Sequence, residues 1–122
     1  MSKIGASKLD ERLASGGVFV LDVRPRTDYQ QGHIEGSHNA PVYDDLRAGD
    51  ADALSDHLDA IPADAEVVTV CKAGVAARTA TRYLDERGYE ATTLSGGYTA
   101  WRHYQSGTLV YRVLSALGRL VP

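Results

Sequence analysis

Cysteine occurs once in the 122 residues, at Cys71. No intrachain disulfide can form, and no cysteine-rich zinc site can be built. Long apolar runs are also missing, and nothing approaches the ~18–20 residues of a membrane span. Positive charge is not in excess: 13 Lys and Arg stand against 16 Asp and Glu, for a formal net charge of -3. That excludes the strongly basic surface that holds nucleic acid nonspecifically. The four histidines, His33, His38, His57 and His103, show no metal-ligand spacing such as HxxxH, so no metal is expected, and no organic cofactor is implied. Met1-Ser2-Lys3-Ile4-Gly5 leads into charged residues rather than an apolar segment. No signal peptide is expected, and the expected location is the reducing cytoplasm. Internal repeats and linkers are absent. What remains is ordinary globular material, 43% hydrophobic and 24% charged, about the length of one domain of ~100–150 residues. Such a chain builds a core without staples.

Apolar strand-like runs alternate with helical patterns, the signature of an α/β fold with a parallel sheet. Ala6 to Ala14 reads as a helix with Ser7 as N-cap and Leu9 and Leu13 on one face. Val18 to Val23 is an apolar run suited to a strand buried on both faces. Pro25 stops it, and Thr27 to Gln31 reads as one helical turn. Ser37 to Ala40 is a short strand, and Ala51 to Ile61 a helix with Leu54, Leu58 and Ile61 inward. Glu66 to Val70 is the second buried strand, and Ala77 to Arg87 the clearest helix, with Ala80, Tyr83 and Leu84 facing the core. Thr92 to Leu94 is a strand, followed by a helix carrying Tyr98, Trp101 and Tyr104 as a packing cluster. A separate amphipathic helix is expected from Thr108 to Leu120, its Leu109, Val113, Leu117 and Leu120 stripe docking on the domain or binding a partner. Asp44 to Asp59, rich in acids, reads as a solvated face.

In an open parallel sheet, ligands gather beyond the carboxyl ends of the strands, and Cys71 sits at such an end. Val70-Cys71-Lys72-Ala73-Gly74-Val75-Ala76-Ala77-Arg78 is a strand end, a short loop of small residues, then a helix start. This arrangement aims backbone N–H groups at one spot, an anion-binding nest at a helix N-terminus. Helix N-termini and a neighbouring lysine favour the nucleophilic thiolate. The opposing reading is a small buried hydrophobe, but a core cysteine belongs within a strand or helix stripe rather than at the mouth of a glycine-containing loop. Two chemistries use such a loop. Cysteine phosphatases need an Arg fork a fixed distance after the cysteine to clamp phosphoryl oxygens. Here that place holds Ala77, and Arg78 falls one residue, roughly 100° of helix, too far. Sulfur transfer needs less: a nucleophilic sulfur and N–H groups around the charge of a persulfide.

Four stretches in order resemble the rhodanese-like domain, the single-domain sulfurtransferase family. They are Val20-Leu21-Asp22-Val23-Arg24 with Asp28-Tyr29 and Gly32 to Pro41; Val68 to Gly74; Thr79 to Tyr89; and Leu94-Ser95-Gly96-Gly97 with Trp101. The resemblance implies a parallel five-stranded sheet flanked by helices on both faces. It implies Cys71 as the catalytic residue, taking sulfane sulfur from a donor such as thiosulfate or a persulfide and passing it to a thiophilic acceptor. It implies a substrate-binding loop of Lys72, Ala73, Gly74, Val75 and Ala76. Many members place Arg and then Ser where this chain has Ala76 and Ala77, so Lys72 is the loop's only charged side chain. A dianionic donor such as thiosulfate is therefore expected to bind less firmly.

Asp22 and Arg24, at the end of the neighbouring strand, are expected to brace the loop, with Arg78 a further supporting residue. His33 and His38 read as hydrogen-bonded structural residues. Residues 1–107 form the domain, and 108–122 an appended helix. The expected partners are a small sulfur donor and an acceptor, with no nucleic acid and no membrane. The oligomeric state is open. The alternatives are a noncatalytic rhodanese-like module that binds a partner protein and, less in keeping with the loop, a cysteine phosphatase or arsenate reductase.

Overall fold

In a computed structural model that describes residues 2–120, the two apolar runs lie side by side at the centre of the sheet. In chain order the elements are β1 (Lys3–Ile4), α1 (Ala6–Ser15), β2 (Val18–Asp22), α2 (Arg26–Gln31), β3 (His38–Asn39), α3 (Tyr43–Arg47), a 3₁₀ helix (Ala51–Ala60), β4 (Glu66–Val70), α4 (Ala76–Glu86), β5 (Glu90–Leu94) and α5 (Gly97–Leu120). The five strands run in the order β1-β5-β4-β2-β3, and each neighbouring pair is parallel. β2 and β4 are in register from Val18 opposite Glu66 to Asp22 opposite Val70. Both therefore end at the same edge, and their last residues open onto the loop that follows β4.

Strand side chains alternate between faces, which splits the core in two. Leu21, Val23, Val67 and Cys71 pack beneath α3, the 3₁₀ helix and α4, with Ala77, Ala80 and Leu84 completing that layer. Val20, Val68, Val70 and Leu94 pack on the opposite face against Leu9 of α1 and Trp101 of α5. Helices thus cover both faces, as the unbroken apolar strands require. The small residues Ala76, Ala77 and Ala80 let α4 lie close to the sheet. Beneath it the hydroxyls of Thr69, Thr81 and Thr93 form a buried chain, 2.8 Å and 2.7 Å apart, and Thr69 also donates to the Ala77 carbonyl. Hydrogen bonds among these buried hydroxyls offset the cost of taking them out of water.

Several boundaries differ from expectation. α1 begins one residue after β1, with Gly5 rather than Ser7 at the N-cap position, because Ile4 is already committed to the sheet. The Ala51–Ile61 stretch is a 3₁₀ helix and not an α-helix. Leu54 is its buried residue, and Ala51, Ala53 and Leu58 pack partly buried against the core. The acid-rich segment before it contains α3, anchored by the buried Leu46.

The two helices expected after Gly97 are one continuous helix, with Gly107 inside it. At ~1.5 Å per residue its 24 residues run about 36 Å. Its first turns dock through Trp101 and Tyr104, whose hydroxyl donates to Asp10 Oδ2 at 2.8 Å. That hydrogen bond to a carboxylate holds the phenol above its ordinary pKa. The later turns leave the domain: Leu109, Val113 and Leu117 are 61%, 51% and 53% exposed. The stripe therefore does not dock, and the Leu120 side chain lies outside the described ones. Among the described residues no helix is long and apolar enough to cross a membrane.

Candidate functional site

Cys71 is the first residue beyond β4, and its side chain turns toward the N-terminus of α4. The thiol is 1% exposed. Two backbone N–H groups donate to Sγ, from Gly74 at 3.0 Å and from Ala77 at 3.4 Å. Ala77 lies in the first turn of α4, where N–H groups have no partner within the helix. Its donation, together with the helix dipole, stabilises negative charge on the sulfur. Gly74 makes the loop possible. Its φ of +93° is the left-handed region that side chains disfavour, and an added Cβ would lie 3.2 Å from the Gly96 nitrogen.

The loop is held from behind by the N-terminus of α5. Tyr98 N–H donates to the Cys71 carbonyl at 2.8 Å, and Thr99 N–H to the Lys72 carbonyl at 3.1 Å. This contact needs Gly97: a Cβ there would stand 2.3 Å from the Cys71 carbonyl oxygen. The Ser95-Gly96-Gly97 turn is thus shaped to let one backbone lie directly on another.

Asp22 and Arg24 form a buried ion pair. Arg24 Nε and Nη2 lie 3.1 Å and 2.8 Å from Asp22 Oδ2, and Nη2 also donates to the Gly32 carbonyl at 2.8 Å. The guanidinium stacks on the Tyr98 ring, 4.0 Å from its centroid. Asp22 therefore fixes Arg24, Arg24 supports Tyr98, and Tyr98 holds the cysteine's carbonyl. Around the loop, Lys72, Ala73 and Val75 are exposed, while Gly74 and Ala76 are buried. Arg78 points to solvent on α4 and makes no side-chain hydrogen bond or ion pair among the described residues, so the structure does not bring it to the sulfur. His33 stacks on Tyr29, 3.8 Å between centroids, with Nδ1 2.8 Å from the Tyr29 carbonyl. His38 lies against Phe19 and His57.

A cleft of about 530 Å³ opens beside Lys72, walled by Arg24, Gly32, Tyr98, Arg102 and His103. Sequence reasoning did not reach Arg102, weighed His103 only as a metal ligand, and assigned Tyr98 to core packing alone. The available signal was their spacing: Tyr98 and Arg102 are four apart on a helix that starts at the Gly-Gly turn beneath the loop.

The family model for the rhodanese-like domain matches residues 5–104. The thiosulfate sulfurtransferase GlpE of Pseudomonas fluorescens is 30% identical over 96 residues, which cover 75% of this chain and 77% of that protein. An HTH-type transcriptional regulator of Mycobacterium tuberculosis is 33% identical over 101 residues, 81% of this chain but only 41% of the regulator's length. In structure, a rhodanese-related protein from Thermoplasma volcanium superposes with a TM-score of 0.71 at 23% identity, over 85% of this chain and 93% of that one. With the five-stranded parallel sheet, the cysteine beyond its central strand and the match along most of its length, the chain belongs to the rhodanese-like domain family.

Proposed function

We propose that the domain is a sulfurtransferase that carries sulfane sulfur as a persulfide on Cys71. The observation that supports this best is the sulfur's setting: beyond the end of β4, with N–H groups of Gly74 and Ala77 directed at it from a loop of small residues. Those donors suit an anionic sulfur, and they require no general base once the thiol is ionised. Lys72, Ala73, Gly74, Val75 and Ala76 form the rim that the substrate crosses. Burial of Cys71 shields a bound persulfide from water and stray thiols. Asp22 and Arg24 brace this arrangement, and Arg78 contributes at most to the surface charge around it. No metal or organic cofactor takes part. The reacting partners are a small sulfur donor, thiosulfate or a persulfide, and a thiophilic acceptor.

A phosphatase would need an Arg fork where Ala77 is buried with its N–H on the sulfur. The working unit is residues 1–107, with 108–122 an appendage, and a single unpaired thiol suits the reducing cytoplasm. Incubation with thiosulfate or a low-molecular-weight persulfide, followed by intact mass measurement, tests the reading. The expected result is a gain of about 32 Da, one sulfur, on the native protein and none on Cys71→Ser. Retained turnover in folded Cys71→Ser would place the chemistry elsewhere. No sulfur loading from any donor would favour the noncatalytic partner-binding module.

A further inference from the structure

The last turns of α5 carry an apolar face turned away from the domain. Leu109, Val110, Val113, Leu114 and Leu117 are each more than half exposed, from 51% to 62%. At about 100° per residue they fall within an arc of roughly 140°. Trp101 and Tyr104, which dock the helix, point about 150° from the centre of that arc. The face therefore cannot fold back on its own domain without breaking the helix. It also lies beyond the rhodanese-like domain match, which ends at residue 104. Charge adds an independent feature. α5 holds Arg102, Arg112 and Arg119 and no Asp or Glu, whereas the rest of the chain holds all 16 acids against 10 Lys and Arg. Arg102 and Arg112 are exposed, and Arg102, seven residues before Leu109, falls on the same side of the helix as the apolar arc. A chain of net negative charge thus carries its exposed aliphatic face on a helix whose charges are all positive.

We propose that the last turns of α5 lie along an anionic lipid bilayer, the aliphatic arc set into the interface and the arginines among the headgroup phosphates. Surface-seeking helices pair an apolar face with Lys or Arg on the remainder, and their binding grows with apolar area and with anionic lipid. The long stem of an arginine beside such a face lets its charge reach the headgroups while the helix stays embedded. The expectation of no membrane contact rested on the missing membrane-spanning run, which bears on crossing a bilayer and not on lying along one. A second copy of the chain fits less well. Paired α5 helices would bring three arginines apiece together with no carboxylate on either, and a coiled-coil seam is narrower than this arc. The assignment does not depend on the chemistry at Cys71.

Co-sedimentation of the full chain with vesicles tests this. Vesicles of an equal mixture of phosphatidylglycerol and phosphatidylcholine are compared with vesicles of phosphatidylcholine alone. Partition onto the anionic vesicles is expected to be about tenfold or more the higher, and to fall as salt is raised. Leu117→Asp sets a charge near the middle of the arc and should cut that binding by about tenfold or more. Arg112→Gln should weaken it about fivefold, or ~1 kcal/mol. Both side chains are exposed, so thermal melts should match the native protein, and Leu117→Ser replaces the aspartate variant if they do not. Sedimentation equilibrium without lipid reads the competing occupant. A dimer that Leu117→Asp dissociates, with no vesicle binding, overturns the proposal in favour of a second copy. A monomer that binds neither vesicle overturns it in favour of a protein partner. Equal binding to the two vesicle types, or binding indifferent to Leu117→Asp, overturns it as well.

Discussion

Gly97→Ala should damage the protein more than any other single methyl group added at a glycine. Three terms add. A side chain at φ +60° enters the left-handed region, at ~1–2 kcal/mol. The new Cβ would lie 2.3 Å from the Cys71 carbonyl oxygen and 2.7 Å from both the Lys72 carbonyl carbon and its oxygen. These are backbone atoms that cannot swing aside, so the two segments must part by about an ångström, a strain on the order of 1–3 kcal/mol. Parting them breaks the bonds from Tyr98 N–H and Thr99 N–H to the Cys71 and Lys72 carbonyls, at ~1 kcal/mol each. Relief of the clash overlaps with loss of the bonds, so the expected net is about 3–5 kcal/mol, a large share of the ~5–15 kcal/mol that holds a domain folded. Denaturant melts read this directly. Because the displaced carbonyl is the cysteine's own, surviving folded protein should also load sulfur poorly in the mass assay. Gly107→Ala is the internal control. It lies within α5 with nothing near its added Cβ, and should stabilise by up to ~1 kcal/mol through helix propensity. A Gly97→Ala protein as stable as the native one, with normal sulfur loading, would refute the claim that α5 clamps the loop.

Two further perturbations separate the brace from the appendage. Asp22→Ala leaves the Arg24 guanidinium buried without its carboxylate and should destabilise by about 3–5 kcal/mol in denaturant melts; a loss below ~1 kcal/mol would mean the pair is incidental. Removing residues 108–122 should leave sulfur loading of Cys71 unchanged, because the loop, its clamp and the cleft precede the cut; a folded truncation unable to take up sulfur would show that the tail belongs to the site.

The legible parts of this chain were those in which one local signal agrees with its tertiary surroundings. The two apolar runs ending at Asp22 and Val70 became the central strands, because a stretch apolar on both faces has few other places to go. Cys71 was legible because its position after such a strand, before a glycine and a helix start, restricts the geometry by itself. The illegible parts depend on distant partners. Two residues suffice for β1, and only pairing with Thr93 and Leu94 makes Lys3–Ile4 a strand. Gly107 resembled a helix end, yet a lone glycine within a helical pattern is only a propensity penalty of ~1 kcal/mol, and α5 runs through it. Arg24 was expected to brace the loop, but its contact with Tyr98 could not be read, since 74 positions of chain separate the stacked pair.

That contact also bears on the loop, with Ala76 and Ala77 where the family resemblance leads one to expect Arg and Ser. Backbone holds this loop from both sides: Gly74 and Ala77 N–H groups meet the sulfur in front, and Tyr98 and Thr99 N–H groups grip its carbonyls from behind. No loop side chain is needed to maintain that geometry, so the alanines leave the sulfur's setting intact. What they remove is positive charge at the rim. On the sulfurtransferase reading, a compact dianion at the rim meets Lys72 as the loop's one charged side chain. Lys72→Glu should therefore cost a thiosulfate donor about tenfold in affinity, or ~1.4 kcal/mol, and cost a neutral polysulfide less. Equal losses for the two donors, read from the rate of sulfur loading against donor concentration, would mean that Lys72 acts on the thiol and not on the donor.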